Sequence, residues 1–239
     1  MKGNKMSILK RLFGSKNKPE KKVSNNPKES IAAKSVSVAV CPYCSEQLEK
    51  KPARKKKCPH CGNYILVRKG KLITENQKKV YLFTADFESM GVTVQSFNKH
   101  KKALSQEWGN TPKVNDVFWR ILNDLISKQK DLSKLVIIYE KMGHIAKEEG
   151  KNPSTYYEQA KKLQVRIHRS TLQGHKDLGF MIVGVQVAGM NDSHQCSYCR
   201  SIDRKVYSID QALSEMPLPG KCSAESRCRC MYIAVFDDD

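Results

Sequence analysis

The chain is 239 residues long, enough for one ordinary domain with smaller modules beside it, and 28% of its residues are charged. Its formal charge of +19 is lopsided: residues 1–80 hold 21 Lys and Arg against 5 Asp and Glu, and the remainder holds 22 against 19. No apolar run approaches the roughly 18 residues of a transmembrane helix, the opening residues do not read as a secretory signal, and nine cysteines in metal-type spacings point to a reducing, cytoplasmic setting.

Residues 1–38 are poor in apolar side chains and rich in Lys, Asn, Pro and Ser, which predicts a disordered basic tail. One patch in it stands out. Ile8-Leu9 and Leu12-Phe13 recur at helical spacing around Lys10 and Arg11, and Lys16, Lys18, Lys21 and Lys22 follow. A short interfacial helix with a polybasic flank is expected there, with weak affinity for an anionic membrane surface.

Residues 39–70 carry the strongest signal. Cys41-Pro-Tyr-Cys44 is followed after thirteen residues by Cys58-Pro-His-Cys61. Two such pairs, each a tight turn aiming two thiolates at one point, predict a structural zinc site, and the segment resembles a zinc ribbon finished by a strand at Tyr64-Ile65-Leu66-Val67. A redox dithiol would need a helix after each pair. Cys44 instead leads into Ser45-Glu46-Gln47-Leu48 and then Lys50-Lys51-Pro52, too short for that helix. The hairpin between the pairs bears Arg54, Lys55, Lys56 and Lys57, and Arg68 and Lys69 follow the strand. These six are the candidate contacts to the phosphates of DNA or RNA. Only Tyr43 and Tyr64 offer rings for base stacking, so contact is expected to be led by the backbone and weak in sequence preference.

Residues 74–172 predict a small helical bundle that can also hold protein partners. Thr74 caps a helix running to about Met90, with Gly91 as its stop, and a second runs from Ser96 to Trp108. A third is expected from Thr111 as N-cap with Pro112 in the first position, its stripe being Val114, Val117, Phe118, Ile121, Leu122, Leu125 and Ile126. Asp131 caps a fourth that ends at Gly150. Asn152-Pro153 starts a fifth, ending near Arg169, and Gly174 to Gly179 reads as a break.

Residues 178–239 predict a cysteine-rich α+β unit. The run from Phe180 to Val187 is a buried strand, Lys205-Val206-Tyr207 a short one, and Met231 to Phe236 a last one; Ser208 caps a brief helix from Ile209 to Met216. Cys196, Cys199, Cys222, Cys228 and Cys230 all lie here. A second zinc site would use Cys196, Cys199, Cys222 and either Cys228 or Cys230, with His194 as a further candidate. Two zinc ions are therefore expected for the chain.

The order Asp192-x3-Cys196-x2-Cys199, Ile202-Asp203-x2-Val206-Tyr207, a Pro-rich loop and Cys228-Arg229-Cys230 resembles the C-terminal part of phage Mu protein F-like head-morphogenesis proteins. In that family a glycine follows the aspartate, where this chain has Arg204, and a P-x-H element precedes C-R-C, where this chain has Pro219-Gly220-Lys221-Cys222 further upstream. The whole layout also resembles a type of uncharacterised bacterial or prophage protein. The resemblance implies an assembly role. An enzyme reading, as a metal-dependent nuclease or deaminase, finds little support. Deaminases need H-x-E near P-C-x-x-C, whereas Gln195 precedes Cys196, His175-Lys176-Asp177 lacks the glutamate, and His168, His175 and His194 are scattered. The reading is thus an α+β, multi-module, zinc-binding and non-enzymatic protein that binds nucleic acid or protein.

Overall fold

The computed structural model describes residues 38–237. The predicted tail, with Ile8, Leu9, Leu12 and Phe13, therefore lies outside the described residues apart from Val38. The described chain is α+β, with seven helices and two small antiparallel sheets. No helix among the described residues is long and apolar enough to cross a membrane.

The first sheet is the ribbon's. Strands β1 (Lys56–Lys57), β2 (Tyr64–Arg68) and β3 (Lys71–Ile73) lie in that order. Strands β2 and β3 meet through Lys69 and Gly70, both at positive φ (46° and 72°), the conformation of a two-residue hairpin whose twist suits antiparallel strands. The ribbon sheet thus runs past the predicted limit at residue 70, to the buried Ile73.

Five helices follow: α1 (Glu75–Asp86), α2 (Val94–Trp108), α3 (Val114–Lys128), α4 (Leu132–Glu148) and α5 (Ser154–Asp177). Their starts are set by side chains that satisfy backbone N–H groups left without helical partners. Thr74 and Gln77 form a reciprocal capping box at α1, and Asp131 Oδ1 accepts from Ser133 and Lys134 at α4. Helix α3 begins later than predicted, because Asp116 accepts from the Lys113 backbone N–H at 2.7 Å and fixes the first turn there rather than at Thr111. The apolar stripes of α1 to α4 close on one core, where the Phe83 and Phe118 rings stack at 4.0 Å.

Helix α5 ends eight residues beyond the expected Arg169, passing through Gly174 without breaking. The boundary drawn at residue 172 falls inside it. Its first half packs Tyr157, Ala160 and Leu163 in the bundle, and Leu172 in its second half belongs to the core of the C-terminal unit. That unit adds β4 (Ile182–Ala188), α6 (Ser197–Ser201), β5 (Val206–Tyr207), α7 (Ile209–Glu215) and β6 (Met231–Phe236), with sheet order β5-β4-β6. Val185, Val187, Tyr207 and Tyr232 share that core with Leu172.

Two outcomes follow. A Cβ at Gly143 would lie 2.2 Å from the Tyr157 ring, so Gly143→Ala is expected to cost about 2 kcal/mol by overpacking, read as a lower urea midpoint. The His168 ring sits edge-on to Tyr232 at 5.3 Å, and burial holds its pKa below the ordinary histidine value. Its contribution is fully present above the unfolded value near pH 6.5 and is lost as pH falls through the depressed folded value. Thermal melts from about pH 7 to pH 5 should therefore show a smaller acid loss in His168→Phe than in the parent chain.

Candidate metal centres

The two ribbon turns are built alike. The Cys41 N–H donates to Glu46 O (2.8 Å) and the Ser45 N–H to Cys41 O (2.9 Å); Cys58 N–H to Asn63 O (2.8 Å) and Gly62 N–H to Cys58 O (3.0 Å) repeat the pattern. The residue after each second cysteine takes the left-handed conformation, Ser45 at φ 63° and Gly62 at φ 73°, a position glycine occupies without steric cost. Each turn thereby presents both of its sulfurs on one side.

The turns face each other. Cys41 and Cys61 Sγ lie 3.8 Å apart, Cys44 and Cys58 Sγ 3.9 Å apart, and all four fall within 4.8 Å of one another. A metal ion with M–S bonds of about 2.3 Å at the centre of a tetrahedron sets its sulfurs about 3.8 Å apart. The four thiols therefore have the dimensions of a mononuclear tetrathiolate site. Around them the ribbon buries little else, chiefly Leu48 and Ile65, so a bound ion would supply much of its folding energy.

The electrostatics suit a cation at the same place. The Asn63 backbone N–H, with its side-chain amide, holds the Cys61 thiol down to about 6. The Glu46 backbone N–H pulls on Cys44, but burial and the three neighbouring thiols push it up to about 12. Four thiols this close do not all ionise alone, whereas a divalent cation deprotonates them together.

The C-terminal cysteines also converge. Cys196 is the N-cap of α6, its sulfur accepting from the Cys199 N–H at 3.3 Å. Cys222 follows the turn at Pro217–Gly220, and Cys228 and Cys230 lead into β6. Cys196 and Cys222 Sγ are 3.7 Å apart, as are Cys199 and Cys228 Sγ. Cys230 joins Cys199 and Cys228 in a group within 4.8 Å, so all five predicted thiols meet here. The hollow beside them is about 10 Å³, too small for a substrate. Cys228, and then the Ala224 backbone N–H, hold the Cys222 thiol down to about 5, while burial pushes Cys199 up. Cys228 is pushed up by Cys222 and by burial.

Three side chains hold this centre: Gln164 and Glu140, which the sequence reading passed over, and Asp192, which heads the Cys196 motif. Gln164 of α5 is buried and grips the Cys228 backbone from both sides, Nε2 donating to its carbonyl (2.7 Å) and Oε1 accepting from its N–H (3.0 Å). Asp192 pairs with Arg229, whose guanidinium keeps that carboxyl below the usual range. Glu140 of α4 takes Arg227 at 2.7 Å and the Ser226 hydroxyl at 3.1 Å. An amide one turn beyond Ala160 and next to Leu163, on the buried side of α5, was the available signal for Gln164.

The remaining candidates are dispersed. Arg54, Lys55, Lys56, Lys57 and Lys69 are exposed on the ribbon, whereas Arg68 lies half-buried with its guanidinium 5.2 Å from the Tyr81 ring of α1. Neither ribbon tyrosine stands free. Tyr43 Oη accepts from the Glu75 N–H at 2.8 Å, joining the first turn of the ribbon to the start of α1, and Lys55 Nζ covers Tyr64 at 4.6 Å. His168 and His175 lie on α5 and His194 sits by the thiol hollow, but among the described residues no histidine belongs to a metal-capable group.

Comparison with protein-family models, curated proteins and solved structures finds no match to this chain.

Gln164→Ala is expected to leave the Cys228 N–H and carbonyl unpaired inside the protein, at a cost of about 3 kcal/mol. Where both clusters are loaded with metal, a chelator titration should then release the C-terminal share earlier than in the parent chain, with the ribbon's share unchanged.

Proposed function

We propose that the chain is a non-enzymatic protein that binds two zinc ions and uses the first zinc module to hold a basic surface against nucleic acid. Cys41, Cys44, Cys58 and Cys61 take one ion. Cys196, Cys199, Cys222 and Cys228 take the other, favoured by their two 3.7 Å edges, with Cys230 left as a fifth thiol. All-thiolate tetrahedra suit zinc or a single iron, and zinc fits a folding role that needs no redox chemistry.

The observation that carries the nucleic-acid reading is uncompensated charge. Residues 38–73 hold nine Lys and Arg against two Glu. Among the described residues every ion pair lies between Glu75 and Arg229, none of them in the ribbon. Cations left without carboxylates on an exposed hairpin are available to phosphates. With Tyr43 bonded to the start of α1 and Tyr64 under the Lys55 ammonium, base stacking has little to use and the contact follows the backbone of DNA or RNA.

A second reading, an assembly component like the head-morphogenesis proteins, draws on the C-terminal unit. There the aspartate of the first motif pairs with the arginine of Cys228-Arg229-Cys230, so the pieces of the resemblance act as one unit.

Elemental analysis of the native protein should return two zinc ions per chain and no iron. Binding to DNA and RNA, followed across salt concentrations, should weaken steeply with salt. Replacing Arg54, Lys55, Lys56 and Lys57 by Ala should flatten the duplex-DNA slope by roughly 3.6. Binding that is absent or indifferent to salt rules out the nucleic-acid reading, and one ion per chain rules out the second centre.

A further inference from the structure

The C-terminal sheet is covered on one face only. Of fourteen large apolar side chains exposed among the described residues, eight lie between Leu178 and Phe236. Val206, Gln186 and Ile233 form one row across β5, β4 and β6, and Ala188 and Met231 form the next. Val206, Ile233 and Met231 are 51%, 49% and 51% exposed, and the row's one polar residue, Gln186, donates to the Arg204 carbonyl. Strand β4 is apolar at six of its seven positions, the pattern of a strand enclosed on both sides.

The size of the open face selects its cover. Seven residues of β4 span about 23 Å and two strand spacings about 10 Å, an area of roughly 230 Å². Two copies face to face would bury under ~500 Å², well short of the ~1,200 Å² of a stable dimer. A single short amphipathic segment suffices. The chain has one outside the described residues: Ile8, Leu9, Leu12 and Phe13 share one helical face. Residues 14–37 reach about 80 Å when extended. Charge favours the same pairing, because Lys10, Arg11, Lys16 and Lys18 surround the segment while Asp237, Asp238 and Asp239 directly follow β6.

We propose that residues 8–13 dock on the open face of the β5-β4-β6 sheet, adding a third layer opposite α5 and α7. The segment that reads as a membrane anchor is then held by the protein itself.

The test uses the full-length, metal-loaded protein with p-benzoylphenylalanine in place of Phe13. Irradiation, with and without phosphatidylglycerol vesicles, is followed by peptide mapping. Cross-links within one chain to residues 231–236 or 205–207 are expected, and Leu12→Asp, which lies outside the described fold, should lower their yield about tenfold. Ile233→Gln should do the same with two metal ions retained; if its metal is lost, Met231→Gln replaces it. Cross-links between two copies, to lipid in place of the sheet, or to neither overturn the proposal, as does a yield that Leu12→Asp leaves unchanged.

Discussion

Four sulfur anions cannot share a space less than 5 Å across unless a cation sits among them. At an effective dielectric of about 20, each pair of unit charges 4 Å apart repels by about 4 kcal/mol. The ribbon builds this arrangement with sulfur edges of 3.8 and 3.9 Å, and the C-terminal unit brings five thiols into two groups of three that share Cys199. Around the first there is almost no other core, and around the second the thiols themselves are core, four of the five being buried. A metal bound at either cluster would therefore contribute to folding at that end of the described chain.

The helices link the two clusters through the molecule. Tyr43 ties the first site to the start of α1, and Gln164 with Glu140 ties the loop of the second site to α5 and α4. Helix α5 has its two halves in different cores. The bundle is thus the frame on which both centres are mounted.

Much of this was legible because it is local. Two C-x2-C pairs announce their turns in four residues each, and caps such as Thr74, Asp131 and Ser208 mark helix starts in three. What was missed depends on residues far apart. Gly174 reads as a stop, yet helix α5 runs through it to Asp177, with Leu172 packed in the C-terminal core and Lys176 paired with Asp210 of α7; tertiary contacts override propensity there. Lys69-Gly70 lacks the Asn-Gly signature of a tight hairpin, so β3 went unread. Thr111 and Pro112 resemble a helix start, but the carboxylate of Asp116 sets it two residues further on. Gln164 shows no sign in the sequence that its partner lies sixty-four residues away.

The spacing of the two ligand sets also has a temporal consequence. Cys61 is the last thiol of the ribbon cluster and stands 167 residues before Cys228 of the second cluster. At about 5–20 residues per second, translation leaves roughly 8–33 s between the two residues. In that interval the ribbon can close on its ion while the later thiols do not yet exist. A metal taken up by the ribbon in that interval would keep its four cysteines out of competition with the later five.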